Sequence, residues 1–191
     1  IYECAIALFS EFGFEKVTIK DIASASESSV GSIYHYFRDK ESIALYRMKV
    51  LDEKYKCIFD YIMEDKKCEH WSAIERLKYL CVNIQNVNIS LGDISLALVY
   101  INGLRHPERD GVRMDKRELY KILDYLIEQC KKEGSISTSY NNEDIKRRII
   151  FISRGILHDW IYSRHGFNLQ NESDFMMSSL LSRLQSPEIS L

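Results

Sequence analysis

Apolar residues at the start of the chain recur at three- and four-residue spacings, the pattern of an amphipathic helix with one buried face. This spacing predicts a first helix over residues 1–12, which Gly13 ends. Because the chain opens at Ile1 inside a helical pattern and without Met, we expect a short tail, and no signal peptide, before it. The inward positions expected in the first helix are Ile1, Ala5, Leu8, Phe9 and Phe12.

Two shorter helices follow. The residues Thr18-Ile19-Lys20-Asp21 have the form of a capping box and predict a helix that runs through Ala25. Ser28 or Ser29 is placed to cap a third helix, which ends near Phe37.

The remaining helices are longer. Asp39 is placed to cap a fourth helix that continues unbroken to about Glu64, long enough to join two bodies of the molecule. In all, the pattern predicts about nine helices and no strand, because apolar residues never alternate over a sustained run. The later helices are predicted at 71–88, 94–104 (capped by Asp93), 112–133, 143–164 (capped by Asn141 or Asn142) and 173–185. The residues expected inward on the last helix are Phe175, Met176, Leu180 and Leu184.

The composition supports an all-α chain in a reducing compartment. With Pro 2 and Gly 8 in 191 residues, few positions interrupt helices. No apolar run reaches the roughly 18 residues of a membrane span. The five cysteines are odd in number and widely spread, which is typical of free thiols in a cytoplasmic protein. Cys68 and His70 are too few ligands for a metal site, so we expect no metal and no cofactor.

The stretch SSVGSIYHYF, residues 28–37, bears on function. Successive helix positions lie about 100° apart, so Tyr34, His35, Tyr36 and Phe37 cannot all face one core. Two short helices joined by a tight turn, the second capped by serine, form the pattern of a helix-turn-helix motif, whose second helix enters the DNA major groove. The core expected between these helices consists of Ile22, Ala23 and Ile33, with Phe37 turned inward and Val30, Ser32 and His35 outward.

The net charge of the chain does not by itself indicate a nucleic-acid partner. The chain carries −2, and residues 1–50 hold six Lys or Arg against seven Asp or Glu. The hypothesis of DNA binding therefore rests on motif and geometry.

The segment ALFSEFGFEKVTIKDIASASESSVGSIYHYFRDKESI resembles the N-terminal domain of TetR/AcrR-family transcriptional regulators. The resemblance covers about 45 residues and is specific in combination. The positions that match the family pattern are Ala5, Leu8, Phe9, Gly13, Phe14, Thr18, Ile19, Ile22, Ala23, Ser29, Gly31, Ser32, Ile33, Tyr34, Tyr36, Phe37, Lys40 and Glu41.

The resemblance implies roles for individual residues in DNA binding. Val30, Ser32 and His35 are expected to face base edges, and Gly31 to allow close approach of the backbone. Two departures weaken the expected grip: Glu27 places a carboxylate in the turn, and Val30 stands where Lys or Arg is frequent. The residues expected to hold phosphates are Thr18, Lys20, Ser28, Ser29, Tyr34, Tyr36 and Lys40.

A dimer is expected from the apolar segment IIFISRGILHDWI, residues 149–161. A helix that is apolar nearly all round must be covered on two sides, and a second copy of the chain can provide one of them. In the resembled family, the last two long helices pair with their mates, which sets two reading heads about 34–36 Å apart on a near-palindromic operator. The expected interface residues are Ile152, Gly155, Ile156, Asp159, Trp160, Phe175, Leu180 and Leu184.

The resemblance also implies a small-molecule effector that binds in the C-terminal bundle and changes operator affinity. It divides the chain into a helix-turn-helix DNA-binding domain, residues 1–46, and a ligand-binding and dimerisation domain, residues 47–191. Polar residues within apolar helices are the candidates to orient the effector: Gln85, Asn88, Tyr100, Asn102 and Asp159.

Three function classes stay open at this point. The first is a ligand-responsive dimeric regulator, in most cases a repressor. The second is an architectural or division-control protein with the same DNA-binding head and a solid bundle without a pocket. The third is an all-α enzyme, for which the candidate groups His106, His158, Asp159 and His165 show no motif spacing, so no catalysis is expected.

Overall fold

A computed structural model describes residues 1–93, 96–99, 101 and 117–185 of the protein. Nine α-helices and one short 3₁₀ helix (Lys66–Cys68) lie wholly within these residues, and residues 96–99 and 101 are also helical. No strand occurs among the described residues, which confirms the all-α prediction. The helices are α1 (Tyr2–Phe12), α2 (Ile19–Ala25), α3 (Val30–Tyr36), α4 (Lys40–Leu45), α5 (Arg47–Glu64), α6 (Ala73–Ser90), α7 (Glu118–Lys132), α8 (Asn142–Tyr162) and α9 (Leu169–Leu184).

The predicted helix 94–104 falls only in part on described residues, of which 96–99 are helical. Tyr100, Asn102 and His106 lie outside the described residues. Of the two asparagines proposed to cap the helix after residue 140, Asn141 is the cap, and its side chain accepts from the Glu143 N–H.

The chain divides into two compact units. Unit 1 contains residues 1–51 and the described residues between 91 and 101, and unit 2 contains residues 52–90 and 117–185. The predicted functional division, 1–46 and 47–191, stays a prediction. The core of unit 1 is formed by Tyr2, Ala5, Phe9, Val17, Ile22, Ala23, Ile33, Ile43, Ala44 and Leu98.

The predicted continuous helix from Asp39 to Glu64 is interrupted at Tyr46, which separates α4 from α5. The Tyr46 N–H is shared among the carbonyls of Ser42, Ile43 and Ala44. The backbone at Tyr46 therefore forms a tight helical turn, and the chain direction does not reverse there. The Tyr46 ring packs on Tyr2 at 5.5 Å and on Phe37 at 5.6 Å between ring centroids. Packing of this ring into the core of unit 1 gives a physical reason for the interruption, which helical periodicity alone does not reveal.

Two predicted inward residues face outward instead. Phe12 is exposed, and Phe14, beyond the Gly13 turn, packs edge-on against Phe9 at 4.9 Å between ring centroids in its place. The last helix begins at Leu169, four residues before the predicted start, and Phe175 is 65 % exposed. Its buried stripe is Leu169, Ser173, Met177, Leu181 and Leu184.

Unit 2 is a bundle in which α6 packs against α7, α8 and α9, and α8 also packs against α7 and α9. A buried ammonium joins two of these helices, because Lys146 on α8 pairs with Asp124 on α7 at 2.7 Å and with Glu143 one turn earlier. Burial raises the pKa of the Cys81 thiol to about 12 and that of Cys130 to about 11, so neither thiol is a reactive thiolate at neutral pH.

Two further observations concern the described residues only. None of their helices combines the length and the apolar character needed to cross a bilayer. In the same part of the chain, no three His, Cys, Asp or Glu side chains converge as metal ligands would.

Candidate nucleic-acid interface

Local hydrogen bonds build the turn between α2 and α3. The Ser28 N–H donates to the Ala23 carbonyl at 2.9 Å, and the Ser26 N–H and hydroxyl both donate to the Ile22 carbonyl. Glu27 has a φ of 50°, in the left-handed region that favours glycine. Glu27 is exposed, three residues before α3 begins at Val30. The turn therefore combines backbone strain with a negative charge.

The caps of α2 and α3 agree with the sequence prediction. The Asp21 N–H donates to Thr18 Oγ1 at 3.2 Å, and the Thr18 hydroxyl and N–H donate to Asp21 Oδ2, which confirms the capping box. Of the two candidate serines, Ser29 caps α3 by accepting the Ser32 N–H at 2.9 Å. The hydrogen bonds from Thr18 hold the pKa of Asp21 below its usual value, so this carboxylate stays ionised.

One buried residue, Ile33, anchors α3 to the core of unit 1. The remaining ring side chains of the helix face solvent: Tyr34 is 56 % and Tyr36 69 % exposed. His35 is also exposed, and its ring meets the edge of Tyr36 at 5.0 Å between ring centroids. With Val30 at the first turn, α3 presents hydroxyl groups, an imidazole and methyl groups, and it contains no Lys or Arg.

This surface has the chemistry of a DNA-reading helix that does not depend on cations. Phenol and serine hydroxyls can donate to phosphate oxygens, an imidazole can donate to or accept from base edges, and a valine can contact a thymine methyl. The nearest basic side chains belong to neighbouring elements: Lys20 is exposed in the first turn of α2, and Arg38 follows α3 and pairs with Asp39 at 3.1 Å.

Lys40, predicted to hold a phosphate, has a structural task of its own. Its ammonium donates to the carbonyls of Phe14 and Val17 and lies 4.4 Å from the centre of the Phe14 ring. These contacts tie the start of α4 to the segment before α2. Two of its three N–H donors are used in this way, which leaves one for a phosphate.

Of the predicted effector residues, Gln85 and Asn88 lie buried on one face of α6, whereas Asp159 is exposed near the end of α8. The Gln85 amide Nε2 donates to the Ser153 carbonyl on α8 at 2.9 Å, and the Asn88 amide donates to the Tyr55 hydroxyl on α5 at 3.2 Å. Sequence reasoning missed Ser153, which periodicity places on the buried side of α8.

The predicted interface residues separate into buried and surface positions. Ile156 and Leu184 lie in the core of unit 2, and Ile152, Trp160 and Leu180 are partly buried. Phe175 and Gly155 are exposed, and a Cβ added to Gly155 meets no atom within 4 Å.

The outward stripe of α8 contains further residues that the sequence prediction omitted. Its members follow one another at spacings of four, three and four residues, which was the available signal. They are Phe151, Gly155, His158 and Tyr162.

Among the described residues, the candidate catalytic imidazoles His158 and His165 each contact an aromatic ring. The His158 ring stacks on Tyr162, and the His165 ring stacks on Trp160 at 3.8 Å between ring centroids. These exposed imidazoles therefore contact aromatic rings of α8. Stacking on a ring is a packing contact, and it differs from the hydrogen-bonded arrangement in a cleft that acid–base catalysis needs.

Comparison with known proteins agrees with this geometry. The model of the family "Bacterial regulatory proteins, tetR family" matches residues 1–46. The "Probable acrEF/envCD operon repressor" of Escherichia coli strain K12 is 25 % identical over 190 residues, which cover 95 % of this chain and 83 % of the relative. The negative regulator IcaR of the biofilm operon icaADBC, from Staphylococcus aureus, is 37 % identical over 62 residues, which cover 32 % of this chain and 30 % of the relative.

The fold is also shared with a solved regulator. The transcriptional regulator FadR from Bacillus subtilis, in complex with stearoyl-CoA, superposes with a TM-score of 0.71 at 22 % identity, covering 95 % of this chain and 96 % of that one. These three relatives are regulators, not enzymes. The TetR family model of bacterial regulatory proteins thus matches the helix-turn-helix region of this chain, residues 1–46, and the all-helical fold of the chain is shared with the solved regulator.

Proposed function

We propose that the protein is a dimeric transcriptional repressor that binds a near-palindromic operator and is released by a small-molecule effector. The observation that carries the proposal is α3, which is anchored by Ile33 and exposes Tyr34, His35 and Tyr36 side by side. Rings left in water on a short, capped helix are costly unless a partner covers them, and the major groove admits a helix of this size. The domains are those of the sequence prediction, 1–46 for DNA and 47–191 for effector and dimer, in the bacterial cytoplasm.

The proposed contacts divide into two kinds. Val30, Ser32 and His35 face base edges and specify the operator. Thr18, Lys20, Ser28, Ser29, Tyr34, Tyr36 and Lys40 hold phosphates and set the position of α3 in the groove.

Dimerisation is proposed through the exposed faces of α8 and α9. Phe151 is 64 % exposed on α8 and Phe175 65 % exposed on α9, two large apolar side chains on helices that pack on each other. Gly155, between them in sequence, leaves room for another helix to approach. An open groove along α9 offers a second copy the Phe175 ring beside polar side chains, one of which, Asp174, pairs with Lys78. The groove is lined by Gln170, Asn171, Asp174, Phe175, Ser178, Ser179 and Ser182.

The proposed effector site lies in unit 2, at the buried polar side chains of α6. The FadR structure holds stearoyl-CoA, which supports an effector for this chain without identifying it. An effector can release the operator only by the difference between its affinities for the DNA-bound and free states of the protein.

Selection of genomic fragments by the purified chain tests the proposal, with a salt titration on the recovered site. We expect a near-palindromic sequence whose affinity falls steeply as salt rises. Tyr36→Phe removes one hydroxyl from α3 and should weaken binding by about 1 kcal/mol, while Tyr125→Phe, an exposed tyrosine of α7, should not. Recovery of no preferred sequence, or equal effects of the two variants, would refute DNA reading by α3.

The oligomeric state is tested separately by analytical ultracentrifugation. Phe151→Glu and Phe175→Glu each place a charge in the proposed interface and should yield monomers, whereas Tyr61→Glu, at an exposed position of α5, should not. A wild-type chain that sediments as a monomer at micromolar concentration would contradict the dimer.

A further inference from the structure

Two polar atoms are buried without a partner where α6 meets α8. Gln85 is fully buried, and while its Nε2 donates to the Ser153 carbonyl, its Oε1 accepts no hydrogen bond within the described chain. Ser153 is buried as well, and its Oγ likewise has no partner there. An unsatisfied acceptor and an unsatisfied hydroxyl therefore both lie in the interior of unit 2, on two residues joined by the hydrogen bond from Gln85 Nε2 to the Ser153 carbonyl.

Rearrangement of these side chains does not relieve the problem. Turning the Gln85 amide over would bring its Oε1 against the Ser153 carbonyl, two acceptors in contact, so the present orientation is the favourable one. The Ser153 hydroxyl stands mid-helix and makes no hydrogen bond back to the preceding turn. Most buried polar groups in proteins have a partner, and each exception calls for an explanation.

The surroundings are apolar or uncharged. The residues one turn away on the two helices carry no charge, and all but the exposed Ile89 are buried: Cys81, Val82, Asn88 and Ile89 on α6, and Ile149, Ile150, Ile156 and Leu157 on α8. Asn88 donates to the buried Tyr55 hydroxyl, which extends the uncharged polar line to α5. Of the charged neighbours on α8, Lys146 is paired with Asp124 and Glu143, and Arg154 also has an interaction partner.

We infer that Gln85 and Ser153 bind the polar end of the effector, and that this end is an uncharged amide or hydroxyl on an apolar body. Such a group donates a hydrogen bond to Gln85 Oε1 and accepts one from the Ser153 hydroxyl, which satisfies both atoms at once. A carboxylate has no proton for Gln85 Oε1, and an ammonium has no lone pair for Ser153. Either ion would also be buried among apolar side chains without a counter-ion. The inference rests on the proposed effector response and names the chemistry of its site.

Thermal unfolding of the full chain with four six-carbon probes tests the inference. Hexanamide and hexan-1-ol should raise Tm by about 2–4 °C near saturation, whereas hexanoate and hexylammonium should leave it unchanged. Ser153→Ala and Gln85→Met should each abolish the response to hexanamide. Ser173→Ala is the matched control, because Ser173 is also buried with an unpartnered hydroxyl but lies on α9, and this variant should keep the response.

A measurement without probe covers the case in which Gln85→Met does not fold. Ser153→Ala removes an unsatisfied hydroxyl and favours the helix, so it should raise Tm of the free protein. A lower Tm would show that Ser153 already has a partner and would overturn the inference. It is equally overturned if hexanamide has no effect, if hexanoate stabilises equally, or if the amide response survives Ser153→Ala. Operator selection does not depend on these side chains, so a chain that selects DNA but fails this test leaves the proposed function standing.

Discussion

The polar side chains that cap α2 and α3 bond within a few residues of themselves, whereas some buried polar side chains of α6 and α8 also find partners far away in sequence. Thr18 bonds to Asp21, and Ser29 bonds to Ser32. By contrast, Gln85 reaches Ser153, and Lys146 reaches Asp124. The caps of α2 and α3 are thus made by neighbouring residues, which leaves the outer face of α3 free, while Gln85 and Lys146 of unit 2 depend on the assembled bundle. Predictions at five residues test this difference.

The largest effect is expected at the anchor of α3. Ile33→Ala removes the one fully buried side chain of that helix and should lower the stability of unit 1 by about 2–5 kcal/mol, because the cavity adds to the lost burial. Amide hydrogen exchange over residues 19–45 reports the change. Val30→Ala on the exposed side of the same helix serves as the control and should change exchange little. Unchanged protection in Ile33→Ala would mean that local caps alone hold α3.

Lys146 tests the long-range pairing of unit 2. Its side chain is 5 % exposed, so Lys146→Met leaves Asp124 and Glu143 without their cation and should cost about 1–3 kcal/mol, tempered by the exposure of both carboxylates. Denaturation followed by the fluorescence of Trp71 and Trp160, both in unit 2, measures this loss.

The same residue gives a pH dependence. Burial works to lower the pKa of Lys146, but hydrogen bonds to Asp124 and Glu143 outweigh it and raise the pKa. A cation whose pKa is raised by folding stabilises the folded state at pH values below its unfolded-state pKa. This stabilisation is lost as the pH rises through its folded-state pKa. The difference between wild type and Lys146→Met should therefore persist at about pH 9 and shrink above about pH 11.

Lys40 distinguishes a structural role from a DNA-binding role. Lys40→Met removes two hydrogen bonds to carbonyls and a cation over the Phe14 ring, and should destabilise unit 1 by about 1–2 kcal/mol while it weakens operator binding. Lys20→Met, at an exposed position, should weaken binding with little change in stability. If Lys40→Met alters affinity alone, the carbonyl contacts do not contribute to the fold.

Asp39 tests the local caps by pH. Partial burial works to raise the pKa of Asp39, but hydrogen bonds from Ser42 and Arg38 outweigh it and hold the pKa below its usual value. An acid whose pKa is lowered by folding stabilises the folded state at pH values above its unfolded-state pKa. This stabilisation is lost as the pH falls through its folded-state pKa. Asp39→Ala should therefore cost about 1 kcal/mol at neutral pH. The cost should vanish below about pH 3, as followed by exchange of the α4 amides.

The smallest effect is expected at Glu27. Glu27→Gly places a glycine at a residue whose φ is left-handed, so it relieves backbone strain. Because glycine also makes the unfolded chain more flexible, the net stabilisation of the turn should be about 0.5 kcal/mol. The substitution should also strengthen operator binding, because a carboxylate leaves the neighbourhood of phosphates. Glu27→Gln keeps the backbone strain and removes the charge, so it should reproduce the gain in affinity without the gain in stability.

Much of unit 1 was predictable because its signals are local. The capping box at Thr18, the cap at Ser29 or its neighbour and the outward ring side chains of α3 follow from three- and four-residue spacings. The family resemblance found over the same stretch agrees with the family model, which matches residues 1–46. What failed was also instructive: Phe175 is apolar but faces outward, since the small Ser173 takes the inward position on α9.

The amino-acid sequence by itself determined most of the helical segments, where their caps lie and the family resemblance of residues 1–46, since these depend on neighbours a few residues away. Only the tertiary structure decided that Tyr46 interrupts the fourth helix, that Lys40 binds two carbonyls and that Gln85 meets Ser153 across 68 positions. Those contacts depend on how helices approach one another in space, and no spacing along the chain encodes a meeting of residues from distant helices.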